Sequence, residues 1–337
     1  MNRSPKNRTI QKGDPVIEVR KLARRFGSLQ ALKGIDLSIN RGEVFGFLGP
    51  NGAGKSTLIR TMVGLLSPSS GTASVLDHRM PEEADILRKH IGYMTQNFSL
   101  YQDLTVRENL DFASEIFGLD RYIRKERIKS SMDYYGLSER QDQKPAQLSG
   151  GWKQRLALAV ATIHNPEILF LDEPTAGVDP ENRRRFWEKL FELAAQGKTI
   201  LVSTHYMDEA VRCHRLALLK EGHLGALGTP SSLTSRFDGR VIEIDAQPAA
   251  AVCHHLDQHE DVASTTQLGN LIHLLLKEKP QDSLQLIRTM QNTLEKLNFS
   301  VHSIQMAAPN LEDVFVALTQ GERMDLAPNH KSHDRKK

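Results

Sequence analysis

A short apolar run, Val44-Phe45-Gly46-Phe47-Leu48, breaks into Gly49-Pro50-Asn51-Gly52-Ala53-Gly54-Lys55-Ser56-Thr57, and a helix-like run continues from Lys55 to Leu66. No other stretch limits the fold so tightly. The apolar run reads as a buried strand, and a strand, a glycine-rich loop and a helix in that order make a phosphate-binding loop. The N-terminal end of the helix offers unpaired N–H groups and a positive dipole end to an anion. Gly49, Gly52 and Gly54 remove the β-carbons that would keep backbone and phosphate apart. Lys55 would then reach the β and γ phosphates of a nucleoside triphosphate, and the Ser56 hydroxyl would ligate Mg²⁺.

Two further apolar runs end in chemistry. Ile168-Leu169-Phe170-Leu171 leads into Asp172 and Glu173, and Thr199-Ile200-Leu201-Val202 leads through Ser203 and Thr204 to His205. Ligands bind where the strands of an open α/β sheet end. Asp172 is placed to hold Mg²⁺ directly or through water, Glu173 to orient or deprotonate the water that attacks the γ-phosphate, and His205 to hydrogen-bond a phosphate oxygen. Before them stands Leu148-Ser149-Gly150-Gly151-Trp152-Lys153-Gln154-Arg155. Ser149 reads there as the N-cap of a helix from Gly150 to Ile163, so Ser149, Gly150 and Gly151 would offer a hydroxyl and N–H groups to phosphate. Asp179-Pro180 also has the form of a helix start, and Arg183, Arg184 and Arg185 after it read as a solvated helix face.

Together Gly49 to Thr57, Gln96, Leu148 to Arg155, Asp172, Glu173, Asp179 and His205 resemble the ATP-binding subunit of an ABC transporter, over roughly residues 16 to 235. The discriminating motif is Leu148 to Arg155, which P-loop kinases, GTPases and helicases lack. The resemblance implies a P-loop α/β ATPase domain with a helical subdomain. Two such domains would meet head to tail, each ATP lying between the loop from Gly49 through Pro50, Asn51, Gly52, Ala53, Gly54, Lys55 and Ser56 to Thr57 and the opposite domain's Ser149, Gly150 and Gly151. It further implies that Phe26 stacks on adenine, and that Glu173, His205 and Gln96 serve hydrolysis. Ser56, Gln96 and Asp172 would hold Mg²⁺, Gln96 would link the site to a membrane permease, and Asp179 would lie at the dimer contact. Trp152 stands where many relatives carry Gln.

The rest of the chain fits that picture. Its 337 residues carry a net charge of +3, too mild to indicate nucleic acid. The longest apolar stretch, Leu156 to Ile163, falls far short of the roughly 20 residues needed to span a bilayer. A protein peripheral to the cytoplasmic face of the inner membrane is the expectation. Cys213 and Cys253, the two cysteines, suit a reducing compartment. Residues 1–15 are polar and basic and read as a loose arm, not as a secretory signal. Residues 16–96 alternate strand and helix patterns, 97–165 turn helical from the capping box Thr105-Val106-Arg107-Glu108, and alternation resumes to about 226, closing a mostly parallel sheet. After the linker at 228–232, residues 239–320 follow a β-α-β-β-α-β order, which predicts a small ferredoxin-like α+β domain. Leu311, Val314, Phe315 and Leu318 then repeat at helical spacing, and 321–337 form a polar tail. The segment from Pro309 to Phe315 is similar to the end of bacterial drug- and antibiotic-exporter ATPases, which implies export more than import. His255 and His259 share a helix face without complementary metal ligands. Non-transport ABC proteins acting on ribosomes usually carry two cassettes, and those acting on DNA carry long coiled-coil insertions; this sequence has neither.

Overall fold

The computed structural model describes residues 14–97 and 99–319 and divides into two compact units between Leu224 and Gly225. The predicted tail and all but the last two residues of the predicted arm lie outside the described residues.

The first unit opens with a hairpin of β1 (Pro15–Phe26) and β2 (Leu29–Asn40), followed by β3 (Val44–Leu48), α1 (Lys55–Met62), β4 (Ser70–Val75), β5 (His78–Met80), α2 (Ala84–Leu87) and β6 (Ile91–Met94). Three longer helices come next, α3 (Val106–Ile116), α4 (Arg121–Tyr135) and α5 (Gly150–Thr162). The chain then runs through β7 (Ile168–Asp172), α6 (Pro180–Ala195), β8 (Thr199–Thr204), α7 (Met207–Ala210) and β9 (Arg215–Lys220) to β10 (His223–Gly228), within which the division between the units falls.

These strands make two sheets, not the single sheet the sequence predicts. One, ordered β2-β1-β4-β5, is antiparallel. The two residues Gly27 and Ser28 between β1 and β2 are too few for a parallel crossover. The other has the order β10-β9-β3-β8-β7-β6, with β9, β3, β8, β7 and β6 paired in parallel. Every residue of β3, β7 and β8 is buried, as expected of parallel strands covered on both faces. Register sets the three strand ends side by side: Leu48 pairs with Thr204, and Asp172 with Ser203.

In the helical part the predicted capping box is present. Glu108 N donates to Thr105 Oγ1 (3.2 Å), and Thr105 N to Glu108 Oε2 (2.7 Å). Buried Asn109 gathers the preceding loop by donating to the carbonyls of Tyr101, Leu104 and Thr105. Tyr135 of α4 joins Thr162 of α5 through their hydroxyls at 2.8 Å.

The second unit contains α8 (Pro230–Thr234), β11 (Val241–Gln247), α9 (Ala249–Leu256), β12 (Val262–Leu268), β13 (Leu271–Leu276), α10 (Ser283–Lys296), β14 (Ser300–Ala307) and α11 (Leu311–Thr319). Its antiparallel sheet has the order β12-β13-β11-β14, and the β-α-β-β-α-β succession read from the sequence is present. Ile242, Ile244, Val252, Ile272, Leu274 and Leu294 form its core. Leu311, Val314 and Leu318 of α11 are buried as their spacing predicts, while Phe315 is only half-buried. Buried Asp313 pins the start of α11 by accepting from Asn310 N (2.8 Å) and facing His273 Nδ1 (3.1 Å). Among the described residues no helix is long and apolar enough to cross a membrane.

Candidate active site

The loop after β3 is built against backbone. A β-carbon on Gly49 would lie 2.4 Å from Leu219 O, and one on Gly54, at φ +104°, 2.7 Å from Ala31 O. Gly52, at φ +81°, faces open space, and α1 begins with Lys55 directly after Gly54 as N-cap. The loop thus has its back to the protein and an open front at a helix N-terminus, the arrangement that suits a phosphate. Helix α1 is shorter than the run from Lys55 to Leu66 suggests, ending at Met62.

Lys55 is buried, and Nζ donates to Gly49 O (2.8 Å) and Pro50 O (3.2 Å) and lies 3.2 Å from Glu173 Oε1. Ser56 Oγ donates to Asp172 Oδ1 at 2.9 Å, and Ser203 Oγ donates to the same oxygen at 2.7 Å. The other carboxylate oxygen, Oδ2, is buried without a protein hydrogen bond. A hydroxyl beside a carboxylate with an unused buried oxygen is a donor set suited to a hard divalent cation. Glu173, also buried, receives Gln96 Nε2 (3.3 Å) and stands 3.4 Å from His205 Nδ1, both at Oε2. Next to them Tyr93 keeps its proton to higher pH than a free phenol, because burial outweighs the opposing pull of Arg60 and the Asp172 charge adds to it.

The structure therefore joins Lys55, Ser56, Gln96, Asp172, Glu173 and His205, drawn from four separate stretches of sequence, into one network. Phe26 stands apart at the end of β1, 42% exposed, with the Arg24 guanidinium 4.6 Å from its ring centre. It is not a core residue.

Ser149, Gly150 and Gly151 have different neighbours. Ser149 occupies the N-cap position of α5 with extended backbone, but its hydroxyl makes no cap bond. A β-carbon on Gly151 would meet Asn182 at 2.6 Å, and Asn182 is tied to Asp179 through its backbone N (3.0 Å) and Nδ2 (2.8 Å). These bonds, the side-chain one first, hold the Asp179 carboxyl below its ordinary range. Gln154 Nε2 reaches Pro174 O at 2.9 Å, linking α5 to the turn after Glu173. The Trp152 indole lies between the guanidiniums of Arg140 (4.4 Å) and Arg155 (4.5 Å).

Sequence reasoning misses one cluster and misplaces a residue. Arg184 and Arg185 are exposed and pair with Glu188 and Glu181. Arg183 instead turns inward, toward Asp208, Glu209 and the ring of Tyr206. The inward turn follows from the buried Glu209 carboxylate, which needs a counter-charge. Its pair is separated by 26 residues in sequence, so no local pattern announces it.

Comparison with known proteins agrees with this geometry. Residues 32–176 match the family model described as ABC transporter. The chain is 46% identical over 224 residues to the probable multidrug ABC transporter ATP-binding protein YbhF of Escherichia coli (strain K12); the match covers 66% of this chain and 39% of that protein. It is 36% identical over 317 residues to the Nod factor export ATP-binding protein I of Burkholderia orbicola (strain AU 1054), covering 92% of this chain and 98% of that one. Among solved structures, an ATP-binding subunit of an ABC transporter superposes with a TM-score of 0.61 at 30% identity, covering 66% of this chain and 93% of that one. The ATP-binding cassette MJ0796, solved as a dimer in a post-hydrolysis state bound to ADP and Pi, superposes with 0.59 at 29% identity, covering 63% and 98%. The phosphate loop, the acidic strand end and these likenesses agree: the chain belongs to the family of ABC transporter ATP-binding proteins.

Proposed function

We propose that this chain is the ATP-hydrolysing subunit of an exporter, peripheral to the cytoplasmic face of the inner membrane and acting on a separate permease as one of two paired ATP-binding domains. The export direction rests on likeness to proteins named for multidrug transport and Nod factor export. In this reading residues 16–235 bind nucleotide, with 97–165 as the subdomain that meets the permease, and 239–320 are accessory.

The loop from Gly49 through Pro50, Asn51, Gly52, Ala53, Gly54, Lys55 and Ser56 to Thr57 wraps the β and γ phosphates, and Phe26 stacks on the adenine. Ser149, Gly150 and Gly151 of the opposing domain close over the γ-phosphate. Lys55 now pairs with Glu173; a triphosphate carries more charge than one carboxylate and draws the ammonium to itself. The released Glu173 carboxylate then takes the proton of the attacking water, while Gln96 and His205 orient that water and the γ-phosphate. Ser56, Asp172 and Gln96 are the residues that would hold Mg²⁺, which supplies charge neutralisation across the phosphates when bound.

The observation that carries this reading is the Glu173 carboxylate held within 3.2 to 3.4 Å of Lys55, Gln96 and His205. Glu173→Gln is expected to bind ATP about as tightly as wild type and to lose hydrolysis by at least about a hundredfold. Nucleotide titration and phosphate release measure the two, and turnover near wild type would remove Glu173 from the role of base.

A further inference from the structure

Glu209 stands in the short helix α7 with no solvent exposure. Its carboxylate ties together two turns that carry site residues. Oε1 accepts from Thr175 Oγ1, two residues after Glu173, and Oε2 accepts from Thr204 Oγ1 at 2.6 Å, immediately before His205. Thr204 Oγ1 also receives Tyr206 N at 3.0 Å, immediately after His205. Arg183 of α6 brings Nε to 3.7 Å from Oε1, and its guanidinium lies 4.0 Å from the centre of the Tyr206 ring.

An ionised carboxylate is costly to bury unless it is both paired and hydrogen-bonded. Glu209 is both, and its two hydroxyl partners lie on opposite sides of the gap between Glu173 and His205. Those two side chains approach to 3.4 Å, and Glu173 N is tied to the end of β8 through Ser203 O at 3.2 Å and Ser203 Oγ at 2.9 Å. One step further along each segment, the Glu209 carboxylate adds a second tie, between Thr175 and Thr204. We infer that Glu209 is a positioning residue for ATP hydrolysis, fixing the Glu173 turn against the His205 strand end at the separation the reaction uses. The inference rests on the ATPase reading above. Through Arg183 the same carboxylate also grips α6, whose first turn holds Asp179 and Asn182 against Gly151.

The test measures kcat and KM for MgATP with the full chain as wild type, Glu209→Gln, His205→Ala and the double variant, with Glu173→Gln as control. Glu209→Gln keeps size and shape but turns one acceptor into a donor. It is expected to lower kcat by about tenfold or more, since small displacements of catalytic groups are costly, and to leave KM within about twofold, since the Lys55 loop is untouched. On the His205→Ala background its further effect is expected to shrink below about threefold, because groups acting as a unit are not additive. An unchanged kcat in folded Glu209→Gln, or a loss that multiplies in full on the His205→Ala background, would overturn the inference. Thr175→Val and Thr204→Val each delete one hydroxyl at nearly constant volume and decide the matter should Glu209→Gln not fold. Reduced kcat at unchanged KM in both supports the role, and wild-type kcat in both rejects it. Hydrolysis that survives Glu173→Gln would remove Glu173 from the role of base and this inference with it, whereas a wild-type chain that does not hydrolyse MgATP would sink the ATPase reading. Hydrolysis lost in Glu173→Gln but intact in Glu209→Gln sinks the inference alone.

Discussion

Glu173 holds its backbone at φ +47°, a left-handed conformation that costs a non-glycine residue roughly 1–2 kcal/mol. Such strain persists only where neighbours over-determine it. Here Glu173 N donates to Ser203 Oγ at 2.9 Å, Ala176 N donates to Glu173 O at 3.2 Å, and Thr175 is held by Glu209. The acid is fixed by its surroundings before any substrate arrives, which is what a preorganised general base requires. His164 shows a different consequence of burial. Its ring stacks on Phe117 at a centroid distance of 3.6 Å, Nε2 meets Ile91 O at 2.9 Å, and burial, more than any other influence, pushes its pKa down to about 4. The unfolded chain, with a histidine pKa near 6.5, therefore takes the proton first. Stability is full above about pH 6.5 and falls as pH drops toward 4, by up to about 3 kcal/mol for that shift. Urea midpoints across this range are expected to decline in wild type and to flatten in His164→Phe; an equally steep decline in the variant would exclude His164 as the source.

Helix α5 and strand β6 pack at a distance set by one missing methyl group. A β-carbon on Gly92 would lie 2.1 Å from Ala161 O and 2.7 Å from the Leu169 side chain, and the carbonyl cannot move without breaking the helix. Gly92→Ala is expected to destabilise by about 1–3 kcal/mol, the usual cost of overpacking. A urea midpoint equal to wild type would show that helix and strand can part freely. Nothing in the letters around Gly92 reveals this, since the obstacle comes from a residue 69 positions later. What the sequence does show is local: the strand, loop and helix around Lys55, the box at Thr105 and Glu108, the N-cap at Asp179, and the strand ends delivering Asp172, Glu173 and His205. Each is decided within a few residues by capping, periodicity or apolar run length. The separate β2-β1-β4-β5 sheet was hidden because strand patterns state that a strand exists, not which neighbour it takes. Arg183 and Glu209 were hidden for the same reason. Arg183 looked like its two exposed neighbours until the fold brought a buried carboxylate beneath it.

At the scale of the whole molecule, the Lys55 network and the Ser149 face are separate halves of a site in the proposed pairing of two chains. Asn182 touches Gly151 and is bound to Asp179, so the segment expected at the dimer contact braces the motif expected to close over the partner's phosphate. Pairing would therefore bury both together. The chain has two tryptophans, and they differ in what they can report. Trp187 is buried within the first unit, whereas Trp152 is half-buried beside Gly151, between two guanidiniums. Adding ATP to Glu173→Gln, where pairing is expected to persist, should therefore change the emission of Trp152 and leave that of Trp187 steady. Trp187→Phe isolates the signal, and emission unaltered at concentrations where light scattering registers a dimer would place Trp152 outside the contact. If the proposed pairing holds, one indole set beside two arginines would give the chain an intrinsic optical gauge of its own assembly.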